Sequence, residues 1–193
     1  RTADVVVENF RPGVMTRLCL DYDELKQLRP ELIYCAMSGF GQTGPLSPRP
    51  AYDQIIQGLS GVMSITGKPE DDPLRVGFPL ADTIGGLTAA MAISAALNKR
   101  PRGQMVDVSM LDSVLTTMGW VVSNYLIGGV IPAQQGNENI TSAPSGTFQT
   151  SDGLINIAAN EERQWLTLIA HLNCLHLAED SRFVTRDNRK IHR

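Results

Sequence analysis

The sequence contains few of the residues that build metal sites and thiol-based sites. Its 193 residues include three histidines and three cysteines. All three histidines fall in the last quarter of the chain, without the HExxH spacing of a zinc protease. No CxxC pair occurs, and an odd number of widely spaced cysteines indicates neither a zinc site nor a disulfide framework. We therefore predict no metal site, and free thiols in the reducing environment of the cytoplasm.

Two motifs of common catalytic loops are also missing. Ser60 lies in Gly58-Leu59-Ser60-Gly61, which does not have the GxSxG form of a hydrolase nucleophile. The glycine-rich run from Gly39 to Pro45 lacks the Lys-Ser/Thr pair of a phosphate loop and the GxGxxG spacing of a dinucleotide fold. The sequence thus gives little support to a serine hydrolase or to these two kinds of nucleotide-binding protein.

Charge and long apolar runs are limited as well. The formal net charge is −3, which does not indicate a nucleic-acid surface or a basic membrane anchor. The most apolar stretches, near 84–97 and 114–127, contain Gly, Thr, Ser and Asn, and we interpret them as buried helices shorter than a membrane span. With 42% apolar residues, the composition is ordinary for a chain that forms a core, and we predict no membrane partner and no nucleic-acid partner.

The first part of the chain alternates strand and helix patterns. Residues 5–7 and 32–37 read as short apolar strands, and the polar amphipathic segment 21–28 between them reads as a helix. This is the pattern of a βαβ unit, which predicts an α/β fold with a parallel sheet. Three further helices, over 52–63, 83–97 and 109–127, and a strand over 104–108 complete this part.

The last part of the chain has a different character. Residues 128–145 are rich in Gly, Asn, Gln, Ser and Pro and are predicted to be a linker. The apolar runs on either side of Ser151-Asp152-Gly153 predict a β-hairpin, and 161–172 predicts an amphipathic helix. We therefore divide the chain into a large-domain part (1–127), a linker (128–145) and the start of a smaller α+β domain (146–193), and expect it to be a piece of a longer protein.

Asp82 is the best candidate for a reactive side chain. It comes just before the long small-residue helix, where the positive end of the helix macrodipole favours a carboxylate in its ionised, nucleophilic form. Gly85 and Gly86 leave room for a ligand near the first turn. The alternative is that Asp82 is an ordinary N-cap residue, which is common at this position.

Several short segments together resemble one family, the class III CoA-transferases, also called CaiB/BaiF or formyl-CoA transferase-like proteins. The resemblance covers nearly the whole chain and depends on the order and spacing of its segments. They are Val7-Glu8-Asn9-Phe10-Arg11-Pro12-Gly13, Leu32-Ile33-Tyr34-Cys35, Gly39-Phe40-Gly41-Gln42-Thr43-Gly44-Pro45, Tyr52-Asp53, Ala81-Asp82, Arg102-Gly103-Gln104, Val106-Asp107-Val108-Ser109-Met110, Gly146-Thr147-Phe148 and Asp152-Gly153.

The resemblance implies an enzyme that transfers CoA between an acyl-CoA thioester and a free carboxylic acid. Asp82 looks like its nucleophile, acting through an aspartyl anhydride and an aspartyl-CoA thioester. CoA thioester is then a substrate, and no tightly bound cofactor is expected. Amides around Gly85 and Gly86, or in the Gly136-Asn137 loop, are candidate donors to the developing oxyanion.

The resemblance also implies which residues bind CoA and support the site. Asn9 and Arg17 have plain alternatives, as a turn residue and a solvated helix charge, and Met110 could equally be a core residue. The implied CoA-binding residues are Asn9, Phe10, Arg17, Leu18 and Met110, and the implied supporting residues are Tyr52, Asp53, Gly85, Gly86 and Gly136.

Two departures bear on the choice of substrate and reaction. Formyl-CoA transferases have a run of glycines where this chain has residues 134–139, so another acid is expected, and the segment 124–128 looks more like the members that use dicarboxylates and succinyl-CoA. The related α-methylacyl-CoA racemases have a histidine where this chain has Tyr52. Tyrosine is a poor proton shuttle at neutral pH, so a racemase is the weaker alternative. A third possibility is an inactive acyl-CoA-binding homologue.

The family fold implied by the resemblance has a Rossmann-like large domain and a small domain. Two such chains thread through each other as interlocked rings, so a homodimer is expected.

Overall fold

A computed structural model describes residues 2–193 of the chain. Its first sheet has three parallel strands in the order β1-β2-β3, which confirms the predicted α/β fold with a parallel sheet. The strands are β1 (Val5–Glu8), β2 (Ile33–Ser38) and β3 (Gln104–Ser109). Val5 pairs with Ile33, and Ile33 pairs with Gln104, so the three strands end close together in register.

Helices fill the connections between these strands. The link from β1 to β2 contains α1 (Val14–Arg17) and α2 (Tyr22–Leu28). The link from β2 to β3 contains α3 (Asp53–Leu59), a 3-10 turn (Val62–Ile65) and α4 (Leu80–Asn98). After β3 come α5 (Met110–Thr117) and α6 (Trp120–Gly128).

The core lies on both faces of β2, because successive side chains of a strand point to opposite faces. On one face, Ile33 and Cys35 pack with Ala89 and Ala96 of α4. On the other face, Leu32, Tyr34 and Ala36 pack with residues of α1 and α2. This packing places the middle and the end of α4 against one face of the sheet.

Helix α4 is buried along one narrow stripe of small residues. Ala81, Gly85, Ala89 and Ala96 are buried, whereas Leu87 and Met91 are 67% and 70% exposed. The interpretation of the stretch 84–97 as a buried helix is therefore wrong for most of its surface within this chain. The spacing of its small residues decides which face packs, because they allow close approach to β2 and β3.

Helix α4 is also longer than the predicted helix over 83–97, because it begins at Leu80 and ends at Asn98. Within residues 2–193 it is the one helix whose length and composition suit a membrane span, with a mean hydropathy of 1.5 over 18 of its 19 residues. The core helix of a globular domain meets the same criteria, and α4 packs against β2, β3, α3 and α5.

Two predicted helices are each divided by a glycine. The predicted helix over 109–127 breaks at Gly119, which has φ 42° and ψ −105°. The predicted helix over 52–63 ends near Gly61, whose φ of 83° is left-handed and does not continue an α-helix. The apolar strand predicted over residues 5–7 is present as β1. It is an edge of the described sheet, and Val7 is exposed.

The chain divides into two compact units. The first contains the residues up to Thr66 together with Asp72–Ala133, and the second contains Gly67–Asp71 and Gln134–Arg193. The inclusion of Gly67–Asp71 in the second unit was not predicted from the sequence. The predicted hairpin is confirmed as the antiparallel pair β4 (Ser145–Gln149) and β5 (Leu154–Ala158).

Two helices complete the second unit, α7 (Glu162–His171) and α8 (Arg186–Ile191). Arg189 of α8 is buried, and its guanidinium donates to Glu162 Oε2 and to the carbonyl of Phe183, both at 2.7 Å. It also lies 5.0 Å from the ring centre of Trp165. This buried charge therefore ties α8 to α7.

Gly103 gives a direct test of the way β3 joins the sheet. It has φ +99°, and a Cβ there lies 2.0 Å from the carbonyl oxygen of Pro30. We expect Gly103→Ala to lower the free energy of unfolding by at least about 3 kcal/mol, through backbone strain and overpacking. Gly86→Ala is the control. Its Cβ has nothing within 4 Å, and it should stabilise α4 by about 1 kcal/mol. Urea unfolding measures both, and equal stabilities would contradict the described packing.

Candidate active site

The carboxyl ends of the three parallel strands meet at one edge of the sheet, the usual place for a ligand site in an α/β fold. Asn9 and Phe10 follow β1, the glycine-rich loop Gly39–Pro45 follows β2, and Met110 follows β3. The topology thus brings together three segments that are far apart in the sequence.

Side-chain hydrogen bonds fix the turn after β1. Asn9 Nδ2 donates to the carbonyl of Met37 at 2.8 Å, which ties this turn to the end of β2. The carboxylate of Glu8 accepts from the amide of Phe10 at 2.7 Å. Glu8 is buried, and this burial raises the pKa of its carboxyl above the ordinary value. The Phe10 ring is left exposed beside this turn.

The same strand end contacts the second turn of α4. A Cβ placed on Gly85 lies 3.2 Å from Met37 Sδ and 3.2 Å from Met110 Cγ, so the helix approaches both side chains closely. Asp82 precedes Gly85 by three residues and therefore lies on a neighbouring part of the same helix surface. Met37 thus contacts both the turn that contains Asn9 and the part of α4 that contains Gly85, one helical turn after Asp82.

The start of α4 is capped by Asp53, a residue of α3. Asp53 Oδ1 accepts from the amides of Ala81, at 2.7 Å, and Asp82, at 3.4 Å. The amide of Leu80 donates to the carbonyl of Phe78 at 2.8 Å, and the first intrahelical bond runs from the Thr83 amide to the Pro79 carbonyl at 3.0 Å. Because the cap residue Pro79 has no N–H, every amide that this helix leaves unpaired at its start is satisfied.

Asp82 is consequently not the cap of α4. It is the third residue of the helix, and its exposed carboxylate makes no hydrogen bond or ion pair with any part of the chain that the structure describes, residues 2–193. The alternative interpretation of Asp82 as an ordinary N-cap is wrong, because Asp53 performs that role from another helix. The Asp82 carboxylate is left available for other chemistry.

The electrostatics at Asp82 differ from the expectation. Partial burial of the carboxyl raises the pKa of Asp82 above its ordinary value of 3.8, and the negative charge of Asp53 raises it further. The sequence predicted the opposite direction from the helix macrodipole. A carboxylate with a raised pKa is the more basic nucleophile once it is ionised.

The three glycines predicted to support the site differ in their surroundings. Gly85 and Gly86 lie in the second turn of α4, where a helix amide ordinarily donates to the carbonyl four residues before it, and their part as donors to an oxyanion stays a prediction. Gly136 belongs to the second unit, where its amide donates to the carbonyl of Gly67 at 2.8 Å. The Gly136 amide therefore has a partner already.

The other predicted residues are mostly on the surface. Arg17 and Leu18 are exposed at the end of α1, and Tyr52, just before α3, is 78% exposed. Met110 is buried in the cluster with Ile56, Ala81 and Val114, which fits its alternative as a core residue. No group of three or more metal-binding side chains occurs within residues 2–193.

The glycine-rich loop is held by an acidic side chain. Both carboxylate oxygens of Asp107 lie within hydrogen-bond distance of the Gln42 amide, at 3.1 and 3.0 Å. Gly41 has φ +81°, and a Cβ there lies 3.5 Å from the same carboxylate. The Gln42 amide is therefore committed to Asp107, unlike the free amides of a phosphate loop.

A cavity of about 440 Å³ lies beside this loop in the first unit. Residues of the loop, α4, β3 and α5 line it, among them Phe40, Thr88, Asp107, Ser109 and Asp112. Its volume is in the range of small-molecule sites. Asp82 is not among its lining residues, so the cavity and the exposed carboxylate are separate features of the unit.

Comparison with known proteins shows the family to which the chain belongs. Residues 1–193 match CoA-transferase family III. The chain belongs to that family. This bears out the resemblance stated from the sequence motifs.

Individual relatives show how much of a family member the chain represents. It is 39% identical to "Succinate--glutarate CoA-transferase" of Agrobacterium fabrum over 100% of this chain and 49% of that protein. It is 42% identical to "Acetyl-CoA:oxalate CoA-transferase" of Acetobacter aceti, covering 98% of this chain and 50% of the relative. The crystal structure of a CAIB/BAIF family protein from Brucella suis superposes with a TM-score of 0.84 at 39% identity, covering 98% and 51%. The chain thus spans about half the length of these family members.

The sequence reasoning missed two features of the site. It grouped Asp53 with Tyr52 as a possible support but did not predict that Asp53 caps α4, which requires the packing of α3 on α4. It also missed Gln57, a buried side chain that contacts Asp53. The spacing of four residues between Asp53 and Gln57 was a usable signal, because such residues share a helix face.

The burial of Asp82 and its proximity to Asp53 lead to a prediction about the titration midpoint of the Asp82 carboxyl. We expect the Asp82 carboxyl carbon to titrate above pH 3.8 in a ¹³C NMR experiment, because burial and Asp53 oppose its ionisation. Asp53→Asn should move this midpoint down by removing the neighbouring charge. An Asp82 midpoint at or below 3.8 in the unmodified chain would mean that the helix macrodipole outweighs both effects.

Proposed function

We propose that this chain supplies the nucleophile and part of the CoA site of an acyl-CoA:carboxylate CoA-transferase, with Asp82 as the nucleophile. The observation that carries the proposal is the exposed Asp82 carboxylate, which is unbonded within residues 2–193 although it lies in the first turn of a helix. Asp53 and two carbonyls satisfy that turn, so Asp82 has no structural task there. Membership of CoA-transferase family III supports the reaction class.

The reaction proceeds by two reversible acyl exchanges. An oxygen of Asp82 attacks the thioester carbon of the donor acyl-CoA, the C–S bond breaks, and an anhydride and CoA thiolate form. The thiolate attacks the aspartyl carbonyl of the anhydride, which gives an aspartyl-CoA thioester and releases the donor acid. The acceptor carboxylate then attacks this thioester, and the same steps in reverse give the new acyl-CoA and free Asp82. Covalent catalysis divides one difficult exchange into easier steps.

Binding of the CoA part is assigned to the segments after β1. We expect the Phe10 ring, which is exposed, and the Asn9 side chain, which Met37 holds in place, to contact the adenine or the pantetheine arm. Arg17 is exposed and suits a phosphate of the nucleotide, and the exposed Leu18 lies beside it. The burial of Met110 supports an indirect part for this residue, through its contact with Gly85.

Dicarboxylic acids are the proposed acyl donor and acceptor. The Agrobacterium fabrum relative is named for succinate and glutarate, and the Acetobacter aceti relative for acetyl-CoA and oxalate. We place this chain with the succinyl-CoA-dependent members, since the same subfamily was indicated by the segment 124–128. A rate comparison with glutarate, oxalate and formate as acceptors tests the assignment, and a preference for formate would contradict it.

A homodimer in the cytoplasm completes the proposal. Several apolar side chains of the first unit are exposed on α4 and on and after α6, where a second copy could cover them. They include Leu87, Met91, Trp120, Leu126, Ile127 and Ile131. Light scattering on the complete natural protein should give twice the mass of one chain, and a monomer at micromolar concentration would contradict this part of the proposal.

The identity of the nucleophile can be tested by trapping. After incubation of the complete natural protein with succinyl-CoA, hydroxylamine should convert an aspartyl thioester to a hydroxamate at Asp82, detected by peptide mass spectrometry. Asp82→Asn should abolish the adduct and reduce turnover by at least about 10³-fold, because the covalent route is lost.

Asp187→Asn is the control. Asp187 is also exposed and also lies in the first turn of its helix, but that helix is α8. It should form the adduct at the normal rate. An adduct on another residue would refute Asp82 as the nucleophile. No adduct, together with exchange of the substrate α-proton in deuterated water, would refute the transferase assignment and favour the racemase.

A further inference from the structure

Gln57 is a fully buried amide with a partner for each of its polar atoms. It lies on α3 and is 0% exposed. Its Nε2 donates to Asp53 Oδ2 at 2.7 Å and to the carbonyl of Phe78 at 3.2 Å. Its Oε1 accepts from the amide of Val76 at 2.9 Å. A buried polar side chain so completely bonded specifies one arrangement of its neighbours.

The bonds of Gln57 continue to the start of α4 through Asp53. One oxygen of Asp53 accepts from Gln57, and the other accepts from the amides of Ala81 and Asp82. Asp53 and Gln57 are four residues apart on α3, so the helix itself holds them side by side. A continuous path of hydrogen bonds therefore runs from Val76 and Phe78, through α3, to the backbone of Asp82.

The direction of each bond in this path is fixed by chemistry. Asp53 accepts on both oxygens, so its neighbour at position 57 must donate. Val76 donates its backbone amide, so the same neighbour must also accept. Glutamine provides a donor and an acceptor on one side chain, whereas an ionised glutamate only accepts and an apolar residue does neither.

We propose that Gln57 is a positioning residue that, through Asp53, fixes the first turn of α4 and thereby the place of the Asp82 carboxylate. The proposal rests on the function proposed above for Asp82. Gln57 itself is buried and does not touch the reacting atoms. Its part is to hold Asp53 in the one rotamer that caps α4 and to hold the segment 76–78 that leads into the helix.

If Gln57 had a purely structural role, its substitution would lower the stability of the whole first unit. It would have no specific effect on local opening at the start of α4. Amide hydrogen exchange distinguishes the two cases, because it reports local opening at each residue separately. It also needs no turnover, so its result does not depend on whether the transferase assignment is correct.

The decisive set is a double-mutant cycle with Gln57→Glu, Asp53→Asn and both together. Gln57→Glu places two acceptors face to face, and Asp53→Asn places two donors face to face unless one amide rotates away from its other partner. In the double variant the new amide at position 53 donates to the new carboxylate at position 57, which still accepts from Val76. The double variant has the same net charge as the unsubstituted pair, because each contains one carboxylate. It leaves the carbonyl of Phe78 without the donor that Gln57 provides.

We expect each single variant to speed exchange of the Ala81 and Asp82 amides by at least about tenfold relative to the amides in the middle of α4. The double variant should return most of that protection. In the complete natural protein, the rate of adduct formation at Asp82 should follow the same order, with kcat falling and KM for acyl-CoA nearly unchanged. If Gln57→Glu does not fold, the comparison of Asp53→Asn with the double variant decides the question.

Gln27→Glu is the matched control. Gln27 is an exposed glutamine on α2 whose Nε2 donates to the carbonyl of Asp23, and its substitution should change neither readout. Unchanged exchange at Ala81 and Asp82 in both single variants, or additive losses without rescue in the double variant, would overturn the proposal. A restored exchange pattern without any Asp82 adduct would instead uphold the positioning and refute the transferase function. Altered exchange with an unaltered rate of adduct formation would refute the positioning role and leave the function standing.

Discussion

The cap that Asp53 provides for α4 is the interaction on which the proposed site depends. A helix begins with amides that have no partner inside the helix, and the residue nearest to them is commonly an Asp, Ser or Thr of the same segment. Here a carboxylate from a neighbouring helix accepts from two of these amides, and the carbonyl of Phe78 accepts from the third. An aspartate in the first turn can therefore keep both of its oxygens free, which an attacking carboxylate requires.

The same cap sets the charge environment of Asp82. Partial burial of the Asp82 carboxyl opposes its ionisation, and the negative charge of Asp53 opposes it further. The macrodipole of a 19-residue helix acts in the opposite direction. A carboxylate with a raised pKa is suited to acyl transfer, because attack on a thioester needs a nucleophile that is both ionised and reactive.

Several parts of this structure could be predicted because they depend on local sequence. The βαβ order, the parallel sheet and the hairpin around Ser151-Asp152-Gly153 follow from periodicity and turn residues, and all are present. The family followed from short motifs in a fixed order. The position of Asp82 before a small-residue helix was also visible, although its freedom from hydrogen bonds was not.

Other parts depend on tertiary contacts that the sequence does not encode locally. The break at Gly119 requires a backbone conformation that an apolar stripe does not reveal. The packing of α4 on one face only depends on which small residues meet β2 and β3. The identity of the helix cap depends on the docking of α3 against α4, and local propensity favoured Asp82 instead. The direction of the Asp82 pKa depends on tertiary contacts too, because burial of the carboxyl raises it and Asp53, distant in sequence but close in space, raises it further.

The central claim is that an oxygen of Asp82 joins the acyl carbon during turnover. The most direct measurement follows oxygen through a single turnover with an ¹⁸O-labelled dicarboxylate acceptor and excess enzyme. The anhydride route predicts that one ¹⁸O enters the Asp82 carboxyl, which raises the mass of the peptide containing it by about 2 Da. New acyl-CoA formed without label at Asp82 would show that the acceptor attacks the thioester directly and would contradict the account.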